Sequence, residues 1–147
     1  MATSSALETL IELATKETDE AAKRLGKCMA AAEDAEKKHQ LLQQYREDYA
    51  ARFQQNLTAG GLSAMGYHNY QVFLGKLDLA IESQQAVVRE ALQRVERERQ
   101  AWQASERKRM SYGTLVSRAE KAQQLKENKR DQKQMDEHAA RQQLYKR

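Results

Sequence analysis

The sequence predicts an all-α fold: two long helices folded back on each other as an antiparallel coiled coil, joined by a short glycine-rich loop, with the second helix the longer. Three observations carry this. The 147 residues contain no proline. Apolar residues recur three and four positions apart from Leu7 to Phe53 and again from Tyr70 to Ala119, the spacing that lines one face of a helix. Between the two runs lies one cluster of glycines, Gly60, Gly61 and Gly66.

Composition agrees with a thin seam. Only 40% of residues are hydrophobic and 31% are charged, too little apolar material for a large core. Ala, Gln, Glu, Lys and Arg are abundant, and these are strong helix formers suited to solvated faces. The expected organisation is a single α-helical hairpin over 1–147, with helix one at about 5–57, a loop at about 58–66 and helix two at about 67–140.

Helix one is expected to open at Ser5, where S-A-L-E reads as a reciprocal cap between Ser5 and Glu8. Its seam in heptad register is Leu7, Ile11, Ala14, Thr18, Ala21, Leu25, Cys28, Ala32, Ala35, His39, Leu42, Arg46, Tyr49 and Phe53. The middle of this seam is small, which lets two helices approach closely. The reversal belongs to the glycines, which reach backbone angles that other residues avoid. Helix two continues the pattern through Tyr70, Leu74, Leu77, Ile81, Gln84, Val88, Ala91, Val95, Glu98, Trp102, Ser105, Arg109, Tyr112, Val116 and Ala119. Gly75 and Gly113 weaken this helix without breaking it. Antiparallel pairing sets Ala32 near Leu92, Leu7 near Leu115, and Trp102 opposite the small residues Thr18 and Ala21. At 1.5 Å per residue helix two would span about 110 Å against roughly 75 Å for helix one, so residues beyond Arg118 are left without an internal partner.

Chemistry is harder to find than geometry. No glycine-rich phosphate loop, cysteine pair or H-E-x-x-H occurs, and the histidines at 39, 68 and 138 are far apart. Carboxylate pairs such as Glu33 and Asp34 lie on a rod without a water-excluding pocket and read as solvated acids. Cys28 reads as an inert seam thiol, and His39 as a polar interruption. We therefore expect no enzyme, no cofactor, no metal and no small-molecule substrate. No apolar run is long enough to span a membrane, and the N-terminus lacks the pattern of a secretory signal, so a cytosolic chain is expected.

The net charge of +4 is uneven. Residues 117–147 carry nine basic and five acidic side chains, whereas residues 1–56 carry eight and ten. Two alternative roles follow from this and from the helical pattern. One is a basic helical adaptor that binds nucleic acid or anionic membrane through Lys126, Lys129, Arg130, Lys133, Arg141, Lys146 and Arg147; interleaved Glu127, Asp131, Asp136 and Glu137 argue against it. The other is a structural homodimeric coiled coil in which the glycine break is only a hinge. The aromatic group Tyr45, Tyr49 and Phe53 faces Tyr70, Phe73 and Leu77 across the loop, closing that end of the coil and offering a partner surface.

Several runs resemble the flagellar export protein FliJ family: Ala6-Leu7-Glu8-Thr9-Leu10 followed by Leu13-Ala14, the spacing Leu42, Tyr45, Tyr49, then Asn69-Tyr70-Gln71 with Phe73, Leu77 and Ala80, and the C-terminal run from Glu127 to Arg141 with its E-N-K-R-D-Q-K-x-M-D-E core. The resemblance covers nearly the whole chain. It implies a soluble, non-enzymatic component of flagellar type III export, similar to the central stalk of rotary ATPases. Such a component binds the hexameric export ATPase and promotes its assembly, links it to the membrane export gate and assists export chaperones. It works in the cytoplasm, peripherally associated with the membrane at the flagellar base. Carried over residue by residue, the resemblance implies a gate contact at Leu42, Tyr45, Tyr49, Phe73, Leu77, Ala80 and Gln84, the last standing where relatives can carry histidine. It implies an ATPase contact at Leu7, Leu10, Leu13, Asn128, Arg130, Asp131, Lys133, Met135, Asp136 and Arg141. The loop keeps its own glycine arrangement and borrows nothing.

Overall fold

The reversal is built from two glycines and a serine. In the structure, a computed structural model that describes residues 2–146, helix α1 runs Ala2–Thr58 and helix α2 runs Ala64–Tyr145. Gly60 and Gly61 have φ of 105° and 148°, the left-handed side of backbone space that residues with a Cβ avoid. The amide of Gly61 reaches back to the carbonyl of Asn56 at 3.4 Å, the six-to-one bond that closes a helix C-terminus. On the far side, the Ser63 hydroxyl accepts from the amide of Gly66 at 3.1 Å and its carbonyl accepts from Tyr67 at 3.0 Å. Ser63 thus caps α2.

The loop is accordingly shorter than the 58–66 read from the sequence, and helix two begins before 67. Gly66 belongs to the first turn of α2, where a Cβ would come within 2.9 Å of Leu62 Cδ2 and 3.3 Å of the capping hydroxyl. At the other end α2 passes 140 and continues to Tyr145, because Ala139, Ala140 and the following glutamines contain no breaker. Helix α1 likewise starts ahead of Ser5, whose carbonyl lies inside the helix and accepts from the Thr9 hydroxyl at 3.1 Å. Arg147, named above in the basic tail, lies outside the described residues.

The chain divides into two compact units. Glu20–Gln103 contains the reversal, and the other unit joins the N-terminal stretch up to Asp19 with the chain from Ala104 onward. In the first of these, every seam position from Ala21 to Phe53 and from Tyr70 to Trp102 is buried or half-buried. In the second, so are Leu7, Ile11, Ala14 and Thr18 on α1, and Ser105, Arg109, Tyr112 and Val116 on α2. Ala119 corrects the register read from the sequence: it is exposed, because the line of apolar seam residues on α1 begins only at Leu7. All of residues 117–146 are exposed.

Small residues and polar bridges hold the helices together. Ala14, Ala21, Ala32 and Ala35 are buried, and among the described residues no large side chain is fully enclosed. The buried Thr18 hydroxyl is satisfied by the carbonyl of Ala14 at 2.8 Å. Gln84 crosses the seam and donates through Nε2 to the carbonyl of Ala35 at 3.0 Å. Arg24 meets Glu98 at 3.2 Å, Arg46 pairs with Asp78, and Lys108 lies 3.8 Å from Glu17. These pairs are solvated, so they orient the helices more than they stabilise them. The glycine break is therefore a full reversal that brings the helices side by side, not a hinge within one long helix.

Among the described residues His39 is the exception to the satisfaction of buried polar side chains. Its Nε2 is shut off from water with no hydrogen-bond partner. Replacing it by an apolar side chain of similar size removes that cost, so His39→Leu should raise the unfolding free energy by about 1–2 kcal/mol in chemical denaturation. Gly60→Ala should lower it by about 1–2 kcal/mol, since alanine must take the left-handed conformation there.

Candidate partner-binding site

At the loop end six aromatic rings alternate between the helices. Tyr67 lies 5.6 Å from Phe53, and Phe53 stacks on Tyr70 at 3.6 Å between centroids. Tyr70 stacks in turn on Tyr49 at 4.8 Å with planes 5° apart. Tyr49 tilts against Phe73 at 4.6 Å, and Phe73 meets Tyr45 edge-on at 6.3 Å. The four-residue spacing of Tyr45, Tyr49 and Phe53 places all three on one flank of α1, and the three-residue spacing of Tyr67, Tyr70 and Phe73 does the same on α2. Each ring pair contributes roughly 0.5–1.5 kcal/mol beyond its buried area.

Burial raises the pKa of the Tyr70 phenol above its ordinary value, and the neighbouring Tyr49 adds to this, while Arg46 opposes it. The hydrogen bond from Arg46 to Asp78 holds the guanidinium even more firmly in its charged form. In the other unit, Arg109 donates to Glu106 at 3.2 Å and lowers that carboxyl's pKa.

The residues assigned to gate contact all lie in the unit Glu20–Gln103, and the aromatic ladder brings Tyr45, Tyr49 and Phe73 together. Their availability to a partner differs. Tyr45 is 51% exposed and Ala80 is open, whereas Leu77 is 7% exposed and belongs to the core. Leu42, Tyr49 and Phe73 are half-buried, and Gln84 is tied to Ala35. Trp102 is half-buried on the seam, as its register position requires.

The residues assigned to ATPase contact fall in the other unit. Leu10 and Leu13 are exposed on α1, with Leu7 half-buried beside the seam. Asn128, Arg130, Asp131, Lys133, Met135, Asp136 and Arg141 are exposed on the part of α2 that outlasts α1. The hydrogen bonds seen along that stretch, Gln124 with Asn128 and Gln142 with His138, lie within the helix itself. The two halves of this set therefore share a unit without forming one packed cluster. Among the described residues there is no group of three or more His, Cys, Asp or Glu placed to hold a metal ion.

The family model of the flagellar FliJ protein matches residues 3–147. The chain belongs to the FliJ family. It is 34% identical to the flagellar FliJ protein of Salmonella typhi over 141 residues, covering 96% of this chain and 95% of that relative. Against the flagellar FliJ protein of Escherichia coli (strain K12) identity is 33% over 141 residues, with the same coverage.

Within this FliJ-family chain, reading by seam register missed two features. The Ser63 cap was hidden among glycines, although S-A-M-G has the serine-first pattern of a helix start. A second apolar line, off the seam on α2, includes Met65, Val72 and Leu79, all exposed. Its signal is their recurrence every seven residues.

Leu77→Ala should cost about 2–5 kcal/mol of stability in a thermal or urea melt, because it empties a core position. Tyr70 has a folded-state pKa above that of the unfolded chain, so its contribution is intact below about pH 10 and is lost as pH rises through the folded-state value. Helicity followed by circular dichroism should therefore fall in that alkaline range in wild type, and less steeply in Tyr70→Phe.

Proposed function

We propose that this chain is a non-catalytic component of flagellar type III protein export that binds and promotes assembly of the export ATPase ring, links the ring to the membrane export gate and assists export chaperones. The observation that carries this reading is the separation of the two assigned contact sets within a FliJ-family hairpin. Every gate residue lies in Glu20–Gln103, and every ATPase residue lies in the unit formed by both ends of the chain. Two partners can then be held at once, and the state of one biases binding of the other through the helices that run through both units.

Physical chemistry suits each contact to its partner. The tail of α2 presents basic and acidic groups alternately, with Met135 as an exposed apolar anchor, a surface that fits a protein more readily than a polyanion. The aromatic end offers Tyr45, a rigid amphipathic ring, above a supported stack. Among the described residues no helix is long and apolar enough to cross a membrane; peripheral docking at the gate from the cytoplasm is the reading that the family resemblance implies.

The test measures ATP hydrolysis and assembly state of the cognate export ATPase with and without this chain. Wild type should stimulate hydrolysis and ring formation, and truncation after Arg118 should abolish both while leaving the thermal melt nearly unchanged, since the removed residues are all exposed. Stimulation that survives truncation would remove the tail from the mechanism. Tyr45→Ala should weaken gate binding by about tenfold and spare ATPase binding. Equal loss of both would overturn the two-contact scheme.

A further inference from the structure

Helix α2 carries a weak stretch at a place where nothing in the packing asks for one. Residues 111–114 read Ser111-Tyr112-Gly113-Thr114, a run without a strong helix former, set between 106–110 and 118–125, which are rich in them. The backbone is helical throughout. Gly113 has no positive φ, and a Cβ added there would meet nothing within 4 Å, so neither conformation nor space requires glycine. An alanine would fit and would make a firmer helix.

Two further observations mark the same point. The Thr114 hydroxyl donates to the carbonyl of Met110 at 3.1 Å. Threonine bonded back in this way bends helices, and glycine close to serine is where helices kink. Packing fades there as well. Less than two turns earlier Lys108 lies 3.8 Å from Glu17, and the buried Ala14 and Thr18 close the seam from α1. From Gly113 to Lys146 only Val116 is even half-buried. Gly75 supplies the contrast. It too lies inside α2 with open space where a Cβ would stand. Its neighbours are anchored, however, Phe73 against Tyr45 and Tyr49, and Leu77 in the core, so the helix cannot turn at that glycine.

We propose that residues 111–114 form a joint at which the exposed tail of α2 changes direction while the seam at Ala14 and Thr18 stays closed. The weak run lowers the cost of a bend. The end of the buried contacts removes what would resist it, and only the half-buried Val116 has to give way. Strong helix formers on both sides keep the two arms stiff, so the bend is concentrated at one point and not spread along the helix. Whatever partner holds the tail can then turn it without prying the two helices apart.

Double electron–electron resonance on the full chain tests this, with nitroxides at Lys16→Cys on α1 and Gln134→Cys in the tail, both exposed positions, in a Cys28→Ala background. With glycine at 113 the distance distribution should be broad and include a population displaced from the straight-helix distance. Gly113→Ala should cut that population about fivefold, the equilibrium factor for exchanging glycine and alanine inside a helix. Thr114→Ala, which removes the bond to Met110, should narrow the distribution in the same direction but by less. Gly75→Ala should leave its width unchanged. A narrow distribution with glycine in place would overturn the joint. So would a broad one that Gly113→Ala leaves as it is, which would put the motion in fraying of the tail, or one that Gly75→Ala narrows equally.

Discussion

The alternating stack of Tyr67, Phe53, Tyr70, Tyr49, Phe73 and Tyr45 is the interaction on which the reversal unit depends. A two-helix hairpin has no third layer to enclose large side chains, and of the seven apolar residues buried among those described, four are alanines. Small residues permit close approach but specify register poorly, because one alanine fits opposite another in several alignments. Rings at defined spacing do not slip in this way. Adjacent to the glycine turn, they fix the alignment where the loop is shortest, and the polar bridges Arg46 to Asp78, Gln84 to Ala35 and Arg24 to Glu98 carry it along the unit.

Much of this was legible in the sequence. Alternating three- and four-residue spacing located nearly every seam residue, including polar members such as Arg46, Glu98 and Arg109, because a heptad position is set by its place in the count and not by its chemistry. Ala119 failed because the end of a seam depends on where the partner helix stops offering apolar residues, which the local pattern of α2 does not contain. Gly66 failed for a related reason: three clustered glycines look alike in sequence, and only the Ser63 hydroxyl separates those of the turn from the one inside the helix.

The sequence groups the candidate contacts by resemblance alone and carries no signal for their accessibility. Resemblance placed Leu77 and Tyr45 together, and the structure separates a core residue from a surface ring. The second apolar line on α2 escaped a reading that assigned one register per helix. A helix has room for two lines, and the periodicity that defines the first partly masks the second.

The length by which α2 outlasts α1 has a consequence for time rather than space. Helix without tertiary contact opens at the rate of a peptide, one turn at a time, whereas helix locked beneath the aromatic stack opens only when the hairpin separates. The chain therefore holds two clocks, and the amide protons of the α2 tail and of the reversal unit would exchange with solvent on widely different schedules. A partner that grips the tail does not have to fold it. It has to stop the faster clock, and the entropy of stilling those turns is withheld from its affinity, favouring a grip that forms and releases readily over one that is permanent.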